Sequence, residues 1–341
     1  MYINYNSLLF FLIISIGLNF ILVKSKFFKL KNINEQIQDI HFGNPSRLGG
    51  LVMFSLFFLY EFIYLGNLYT LFWASLIIIL PALFEDLRIS VNPFFRLLAI
   101  LISSLIIIIN FEILPYFNFG YLNIFFNNHI FQIIFFTVAM SAVINGQNIV
   151  DGTNGLSAMT SASIFGSLLF LGFYLNDEQI IDTCSIIITL LIGFLVFNYP
   201  YGKIFLGDTG SYFLGLLSSY MVIKVFASNP ELPSWSAVII LFYPALEVTF
   251  SYFRKILNKK SPFLPDNLHL HYKIYNLISK DKPKSRLFNA LVTPFLGIIW
   301  LSPLALLPFS IQYPLWSISV LIFLIIIYLF FYISIPNYTK K

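Results

Sequence analysis

LWSISVLIFLIIIYLFFYISI, residues 315–335, carries no charged side chain along its whole length. A helix that crosses the hydrocarbon core of a bilayer needs about 20 predominantly apolar residues, so this stretch alone predicts a membrane span. Ten further apolar runs share its character, at 7–23, 47–65, 69–85, 96–113, 128–147, 155–175, 182–198, 211–228, 236–254 and 286–308. In lipid every backbone polar group must be satisfied within the protein, and runs of this length do so as helices. The expected fold is therefore all-α: a polytopic integral membrane protein of about 11 transmembrane helices, set in a lipid bilayer.

Composition points the same way. Of 341 residues, 58% are hydrophobic and 10% charged, against about 25% charged in a soluble protein, which leaves too little polar sequence for a separate soluble domain. The single cysteine, Cys184, excludes an internal disulfide and a thiolate metal cluster. The net charge of +5 is no sign of a nucleic-acid partner, because the basic residues lie in short segments between apolar runs rather than on one soluble face.

The basic residues also orient the chain. None precedes the first run, while Lys24, Lys26, Lys29 and Lys31 follow it. This argues against a cleaved signal peptide and predicts an N-terminus outside and a C-terminus in the cytoplasm. Alternating sides from there places all but one of the 20 Lys and Arg on the inner side, with Lys224 near the outer face.

The outer connections are short, whereas the inner ones are rich in residues that a loop does not need for turning. They read HFGNPSRLGG (41–50), FEDLRISVNPFFR (84–96), NGQNIVDGTNGLSA (145–158), FNYPYGKIFLGDTGS (197–211) and SPFLPDNLHLHYKIY (261–275). Taken singly, each has an ordinary explanation: Asp or Asn beside Gly caps helices and makes turns, and histidines in loops are usually solvated. Those explanations do not say why Glu85, Asp86, Asp151, Asp208, His269 and His271 all fall on one side. Nor do they explain adjacent carboxylates near apolar helix ends, where ionised groups are costly unless paired or bound to a cation. All the inner-side carboxylates are expected at or beyond helix ends, unlike the midplane groups of a transporter. Carboxylates and Asn oxygens converging at one face make a hard-oxygen site suited to Mg²⁺ or Mn²⁺ with substrate phosphates. Gly152, Gly155, Gly207 and Gly210 would let backbone approach a phosphate, and Lys203, Arg88, Arg96 and the two histidines would neutralise phosphoryl oxygens.

In this order, NGQNIVDGTNGL, FNYPYGKIFLGDTGS and SPFLPDNLHLHY resemble the polyprenyl-phosphate N-acetylhexosamine-1-phosphate transferases, glycosyltransferase family 4, which includes the phospho-MurNAc-pentapeptide translocase and undecaprenyl-phosphate GlcNAc-1-phosphate transferases. The resemblance runs from about 41 to 275. It implies one transmembrane transferase domain over 1–341 in the bacterial cytoplasmic (inner) membrane, with catalytic cytoplasmic loops near 41–50, 84–96, 145–158, 197–211 and 255–286. The implied reaction is Mg-dependent transfer of an N-acetylhexosamine-1-phosphate from a UDP-sugar to undecaprenyl phosphate. It releases UMP and starts O-antigen lipopolysaccharide, exopolysaccharide or cell-wall polymer synthesis. By position, the resemblance makes Asp208 and Asn148 the metal site, and Glu85, Asp86, Asp151, His269 and His271 the catalytic groups. Phe205 would stack on uracil, Gly207 and Asn198 would line the nucleotide site, Asn154 would accept from the uracil, and Arg96 would bind substrate. Glu85, Asn154, Asn267 and Tyr272 depart from the usual pattern, which bacterial members write with Asp, Asp, Arg and His. A homodimer is compatible with these features, and a lipid-linked-sugar transporter or a non-catalytic member are the alternative readings.

Overall fold

The computed structural model describes residues 5–25, 45–66, 68–116, 123–261, 267–280 and 285–336. Residues 41–44 and 262–266 of the inner loops, and Lys26, Lys29 and Lys31, lie outside them. The chain is all-helical. It runs through α1 (Tyr5–Lys24), α2 (Gly49–Tyr60), α3 (Tyr69–Asp86), α4 (Pro93–Ile109), the short α5 (Asn123–Phe126), α6 (His129–Val150), α7 (Leu156–Leu175) and α8 (Glu178–Asn198). Then follow α9 (Gly207–Ser228), α10 (Trp235–Ile240), α11 (Phe242–Leu257), α12 (Leu270–Ile278), α13 (Arg286–Phe295), α14 (Gly297–Trp300), α15 (Ser302–Ser310) and α16 (Pro314–Ser334). Among the described residues the sole extended pairing is a parallel bridge between Ser46 and Ile204.

Among the described residues, seven helices (α1, α3, α6, α7, α8, α9 and α16) are long and apolar enough to cross a membrane, and a bent pair, Leu287–Phe295 with Gly297–Ser310, makes an eighth if taken as one span. Gly49–Leu65 and Pro93–Ile109 are shorter apolar helices. Two of the predicted runs are interrupted rather than straight. The run at 236–254 breaks between α10 and α11, where Pro244 lacks an N–H and its ring crowds the carbonyl of Ile240. The run at 286–308 bends by 45° where Pro294, Gly297 and Pro303 follow one another.

Helix α9 is the axis of the bundle. It packs against α2, α3, α6, α7 and α10, and almost every residue from Gly207 to Phe226 is buried. Phe54, Phe57 and Phe58 of α2 close on Phe213 of α9 with ring centroids 5.4–6.0 Å apart. Lipid tails are as apolar as leucine, so helices in a bilayer gain little from apolar burial and associate through close packing. The backbones meet accordingly. A Cβ added at Gly210 would lie 2.6 Å from Gly50 Cα, one at Gly146 would enter the carbonyl of Pro244, and one at Gly215 would sit 2.7 Å from Ile144 Cα. A second cluster joins Val150 and Leu156, flanking the α6–α7 turn, to Tyr243, Leu270, Tyr275 and Tyr328 of the C-terminal third.

The loops expected on the inner side are shorter than the sequence suggests, because helices run into them. Helix α6 continues to Val150, so Asn145, Gln147 and Asn148 are helical, and α9 begins at Gly207. The extension is stable because the polar side chains find partners inside the bundle. Gln147 Nε2 donates to Ser157 O (3.0 Å), Ser157 Oγ (2.9 Å) and Ser161 Oγ (2.8 Å) of α7.

Gly210→Leu is expected to separate α2 from α9 and lower the unfolding midpoint in detergent, since overpacking a close contact costs about 1–3 kcal/mol. Gly17→Leu on α1, where a Cβ meets nothing within 4 Å, is expected to leave the midpoint unchanged. Equal midpoints for both variants would contradict the packing described.

Candidate active site

The first N–H groups of a helix have no partner within it, and in an apolar bundle each must be met by another group. At the start of α9 that group is Asp86, the last residue of α3. Its Oδ1 accepts from Asp208 N at 2.8 Å and its Oδ2 from Thr209 N at 2.9 Å, with the side chain wholly buried. Gly207 makes the approach possible. Its φ is +75°, and a Cβ there would lie 2.5 and 2.6 Å from the two carboxylate oxygens of Asp86 and collide with the carbonyl of Arg47. A helix N-terminus also favours negative charge.

Asp208 collects side chains from three other stretches of chain. Arg96 Nη1 donates to Oδ2 at 2.8 Å, while Arg47 Nη2 (3.4 Å) and Asn148 Nδ2 (3.2 Å) donate to Oδ1. Asn148 also donates to Ser211 Oγ at 2.9 Å. Local sequence explains the delivery of each. Phe205 N donates to Ser46 O at 2.8 Å, Gly49 N to Phe205 O at 3.1 Å and Gly50 N to Leu206 O at 2.9 Å, so 46–50 is zipped to 205–206 and Arg47 is carried over Asp208. Helix α3 ends as Ile89 N donates back to Phe84 O, with Arg88 at φ +64°. Asn92 then caps α4, accepting from Phe94 N at 2.9 Å with Pro93 at the first turn. That short connection returns Arg96 to the end of α3. Glu85 accepts from Val91 N at 2.9 Å and lies 3.7 Å from Arg96.

Asp151 caps the C-terminal end of α6. Burial pushes its carboxyl well above the usual range; Arg47 opposes the rise, and Asp208 and Asp86 add to it. For Arg47 burial opposes the charge, but Asp208, Asp86, Asp151 and Glu85 outweigh it and hold the guanidinium above its ordinary value. The histidine loop arrives from the other side. His271 Nε2 occupies the place that a Cβ on Gly152 would take, and the His271 and His269 rings are parallel with centroids 5.8 Å apart.

The structure thus brings Asp86, Arg96, Asn148 and Asp208 into one hydrogen-bonded group, with Glu85 joined to it by its ion pair with Arg96 and Asp151 coupled to it through charge. The other predicted residues are placed differently. Asn198 Oδ1 accepts from Gly155 N at 2.6 Å and its Nδ2 donates to Ile204 O at 2.8 Å. Asn154 Nδ2 donates to Pro200 O at 2.9 Å. Both amides therefore brace the 151–155 and 199–206 loops against each other. Phe205 is half-buried and contributes its backbone to the pairing with Ser46 and Gly49. Lys203 and Arg88 are exposed, and Lys203 lies over the Tyr201 ring. Gly152, Gly155, Gly207 and Gly210 face His271, Tyr199, Asp86 and Gly50, so each already accommodates a protein neighbour where a phosphate approach was expected.

Several participants escaped the sequence reading. Arg47 counted only toward topology. Asn289 Oδ1 accepts from Asn154 N at 2.7 Å and Thr293 Oγ1 donates to Asn154 O at 2.6 Å, so α13 clamps the 151–155 turn. Glu247 corrects the expectation that inner-side carboxylates lie at helix ends: it is in the middle of α11 and 1% exposed. A lone acid inside an apolar run was the available signal.

Among the described residues no three His, Cys, Asp or Glu side chains gather into a cage. Asp208 offers a carboxylate, and Asn148, whose amide nitrogen meets it at 3.2 Å, would bring its oxygen to a shared cation by turning its amide; Mg²⁺ binds through one or two such groups and leaves the remainder to water and phosphate.

The chain is similar to known proteins over the stretch that holds these residues. The profile described as glycosyl transferase family 4 matches residues 46–226, a stretch that runs from Ser46 through Asp208 and most of α9. The chain belongs to that family. It is 32% identical over 149 residues to the undecaprenyl-phosphate alpha-N-acetylglucosaminyl 1-phosphate transferase of Thermotoga maritima, covering 44% of this chain and 45% of that protein. The phospho-N-acetylmuramoyl-pentapeptide-transferase of Dictyoglomus turgidum is 33% identical over 149 residues, 43% of this chain and 47% of the relative. The decaprenyl-phosphate N-acetylglucosaminephosphotransferase of Mycobacterium leprae is 29% identical over 167 residues, 42% of each. The matched stretch spans less than half the length of each of these relatives.

Asp86→Asn turns one acceptor into a donor that faces a backbone N–H. Leaving such a buried group unsatisfied costs about 1–3 kcal/mol, and a lower unfolding midpoint in detergent is expected. Gly207→Ala is expected to do the same. Glu85→Gln, at a partly exposed site whose amide oxygen can still accept from Val91, is expected to shift the midpoint far less. The opposite ranking would remove Asp86 from its place at the start of α9.

Proposed function

We propose that this protein transfers an N-acetylhexosamine-1-phosphate from a UDP-sugar to undecaprenyl phosphate and releases UMP. The observation that carries the reading is the joint hold of Arg47, Arg96 and Asn148 on Asp208 at the start of α9, within the part of the chain that the family profile matches. The names of the relatives, each a transferase of an amino-sugar phosphate or its peptide-bearing counterpart, support it. In the proposed reaction an oxygen of the lipid phosphate attacks the phosphorus nearest the sugar. The bond from that phosphorus to the bridging oxygen breaks, and UMP leaves with the electron pair.

Each residue has a task on this reading. Arg47 and Arg96 hold guanidinium charge where phosphoryl oxygens gather, and such charge is worth most in a low-dielectric site. Asp86, with both oxygens engaged by backbone N–H groups and Arg47 Nε 3.5 Å from Oδ1, positions Asp208. Asp151 accepts no hydrogen bond among the described residues, so it is the carboxylate placed to orient or deprotonate the lipid phosphate. Mg²⁺ (or Mn²⁺) would be held by Asp208 and Asn148, and when bound it supplies Lewis-acid neutralisation of phosphate charge. The excess of basic residues in the inner loops supports eleven spans, an N-terminus outside and a site on the cytoplasmic face of a bacterial inner membrane.

Purified protein in detergent, given undecaprenyl phosphate and a panel of UDP-N-acetylhexosamines, is expected to release UMP in a Mg²⁺-dependent reaction. Asp208→Asn, which keeps the shape and removes the charge, is expected to lower turnover by about 100-fold or more. Near wild-type turnover of Asp208→Asn, or folded protein that releases no UMP from any donor, would overturn the proposal. Topology has its own test. With Cys184 removed, cysteine placed at Ser261 is expected to react only with reagent on the cytoplasmic side, and cysteine at Asn229 only from outside.

A further inference from the structure

We propose that Glu247 is a positioning residue for His269, fixing which ring nitrogen carries the proton and which way the ring faces, and that Tyr328 of α16 holds Glu247 in that task. What His269 then does rests on the transferase reading above; the geometry does not. All three residues lie beyond the stretch matched by the family profile.

An ionisable side chain buried in an apolar helix is costly and calls for a reason. Each oxygen of Glu247 has one. Oε1 lies 2.9 Å from His269 Nδ1 and accepts from Leu270 N at 3.3 Å, and Oε2 accepts from Tyr328 OH at 2.9 Å. A carboxylate can only accept, so Nδ1 carries a proton and Nε2 is turned away from Glu247. A carboxylate in this relation to a histidine sets its tautomer and orientation.

The same carboxylate serves the backbone. His269 is the N-cap of α12, yet its side chain caps nothing. The Leu270 N–H, the first unpaired donor of that helix, goes to Glu247 instead. One group therefore fixes the start of α12 and the ring that precedes it. Arg254, two turns further along α11, adds a second tie, donating to Leu268 O at 2.6 Å and to Tyr332 OH at 2.9 Å. From His269 the contacts continue to the parallel His271 ring and so to Gly152, beside Asp151. A rigid line of contacts runs from Tyr328 in the last helix to the Asp151 turn. A purely architectural role, gluing α11, α12 and α16 together, would use the same atoms, so the test must separate the two.

The full-length protein is assayed as wild type, Glu247→Gln, His269→Asn and the double variant, with unfolding midpoints in parallel. Glu247→Gln keeps an acceptor and the shape. It is expected to lower kcat by about 10- to 100-fold, with KM for the UDP-sugar and the unfolding midpoint moving much less. If Glu247 acts through His269, the double variant is no slower than His269→Asn alone. Losses that simply add, or a slow Glu247→Gln whose deficit follows its midpoint, would overturn the proposal. A second readout needs no turnover. In protein carrying ¹⁵N-labelled histidine, with the His269 signal assigned by its loss in His269→Asn, Nδ1 is expected to be protonated in the wild type. In Glu247→Ala the proton is expected to redistribute toward Nε2. If the wild type releases no UMP the transferase reading fails, and the nitrogen signal still decides the role of Glu247: an unprotonated Nδ1 in the wild type overturns it.

Discussion

The site depends on one exchange between a buried carboxylate and a helix end. Asp86 would be costly in an apolar bundle without donors, and the first N–H groups of α9 would be costly without acceptors. Each meets the need of the other through two short hydrogen bonds. The exchange locks the C-terminus of α3 to the N-terminus of α9, and it requires Gly207 in a left-handed conformation. It leaves the side chain of Asp208 projecting from a fixed first turn. Arg47 is then placed by the pairing of 46–50 with 205–206, and Arg96 by the short turn after α3. Because α9 is buried along nearly its whole length, the site inherits the rigidity of the most enclosed helix in the molecule.

The helices were legible because their signal is collective. Runs of about 20 apolar residues announce themselves, while Asn92, with Pro93, and Asn128 set the starts of α4 and α6 in the structure. The acids of the site were legible too, since Asp86, Asp151 and Asp208 stand out against such a background. Their division of labour was not. Nothing in FEDLR or FLGDTGS says that Asp86 will spend both oxygens on α9 while the Asp151 side chain accepts no hydrogen bond among the described residues. Nor does NGQNIVDGTNGL reveal that helix α6 runs on through Asn148. A polar residue extends a helix only if the neighbouring helix offers it a partner, as Ser157 and Ser161 do for Gln147.

Asn154 and Asn198 show the same limit from the other side. In sequence both are amides in a loop expected to bind nucleotide. In the fold they bridge the 151–155 and 199–206 loops, and α13 reaches in through Asn289 and Thr293 to hold the first of them. Hydrogen-bond partners more than 100 residues away are set by packing, and a single sequence carries no trace of that distance. Glu247 was overlooked for a related reason: a single acid in an apolar run looks like a misjudged helix boundary until its three donors are seen.

Charge at the site has a consequence for how a phosphate substrate enters on the proposed reading. Glu85, Asp86, Asp151 and Asp208 face two guanidinium groups, Arg47 and Arg96, and the rise of the Asp151 carboxyl partly expresses that imbalance. A diphosphate and a lipid phosphate add further negative charge, which a low-dielectric site amplifies. Entry of the substrates therefore favours compensating positive charge arriving with them, and that same charge lowers the proton affinity of Asp151. On that reading cation, substrate and the proton on Asp151 would be coupled by electrostatics, and the carboxylate would become available to the lipid phosphate once bound positive charge offsets the phosphates. Asp86 belongs to the same charge cluster, and its two hydrogen bonds, to Asp208 N and Thr209 N, fix it in place at the start of α9.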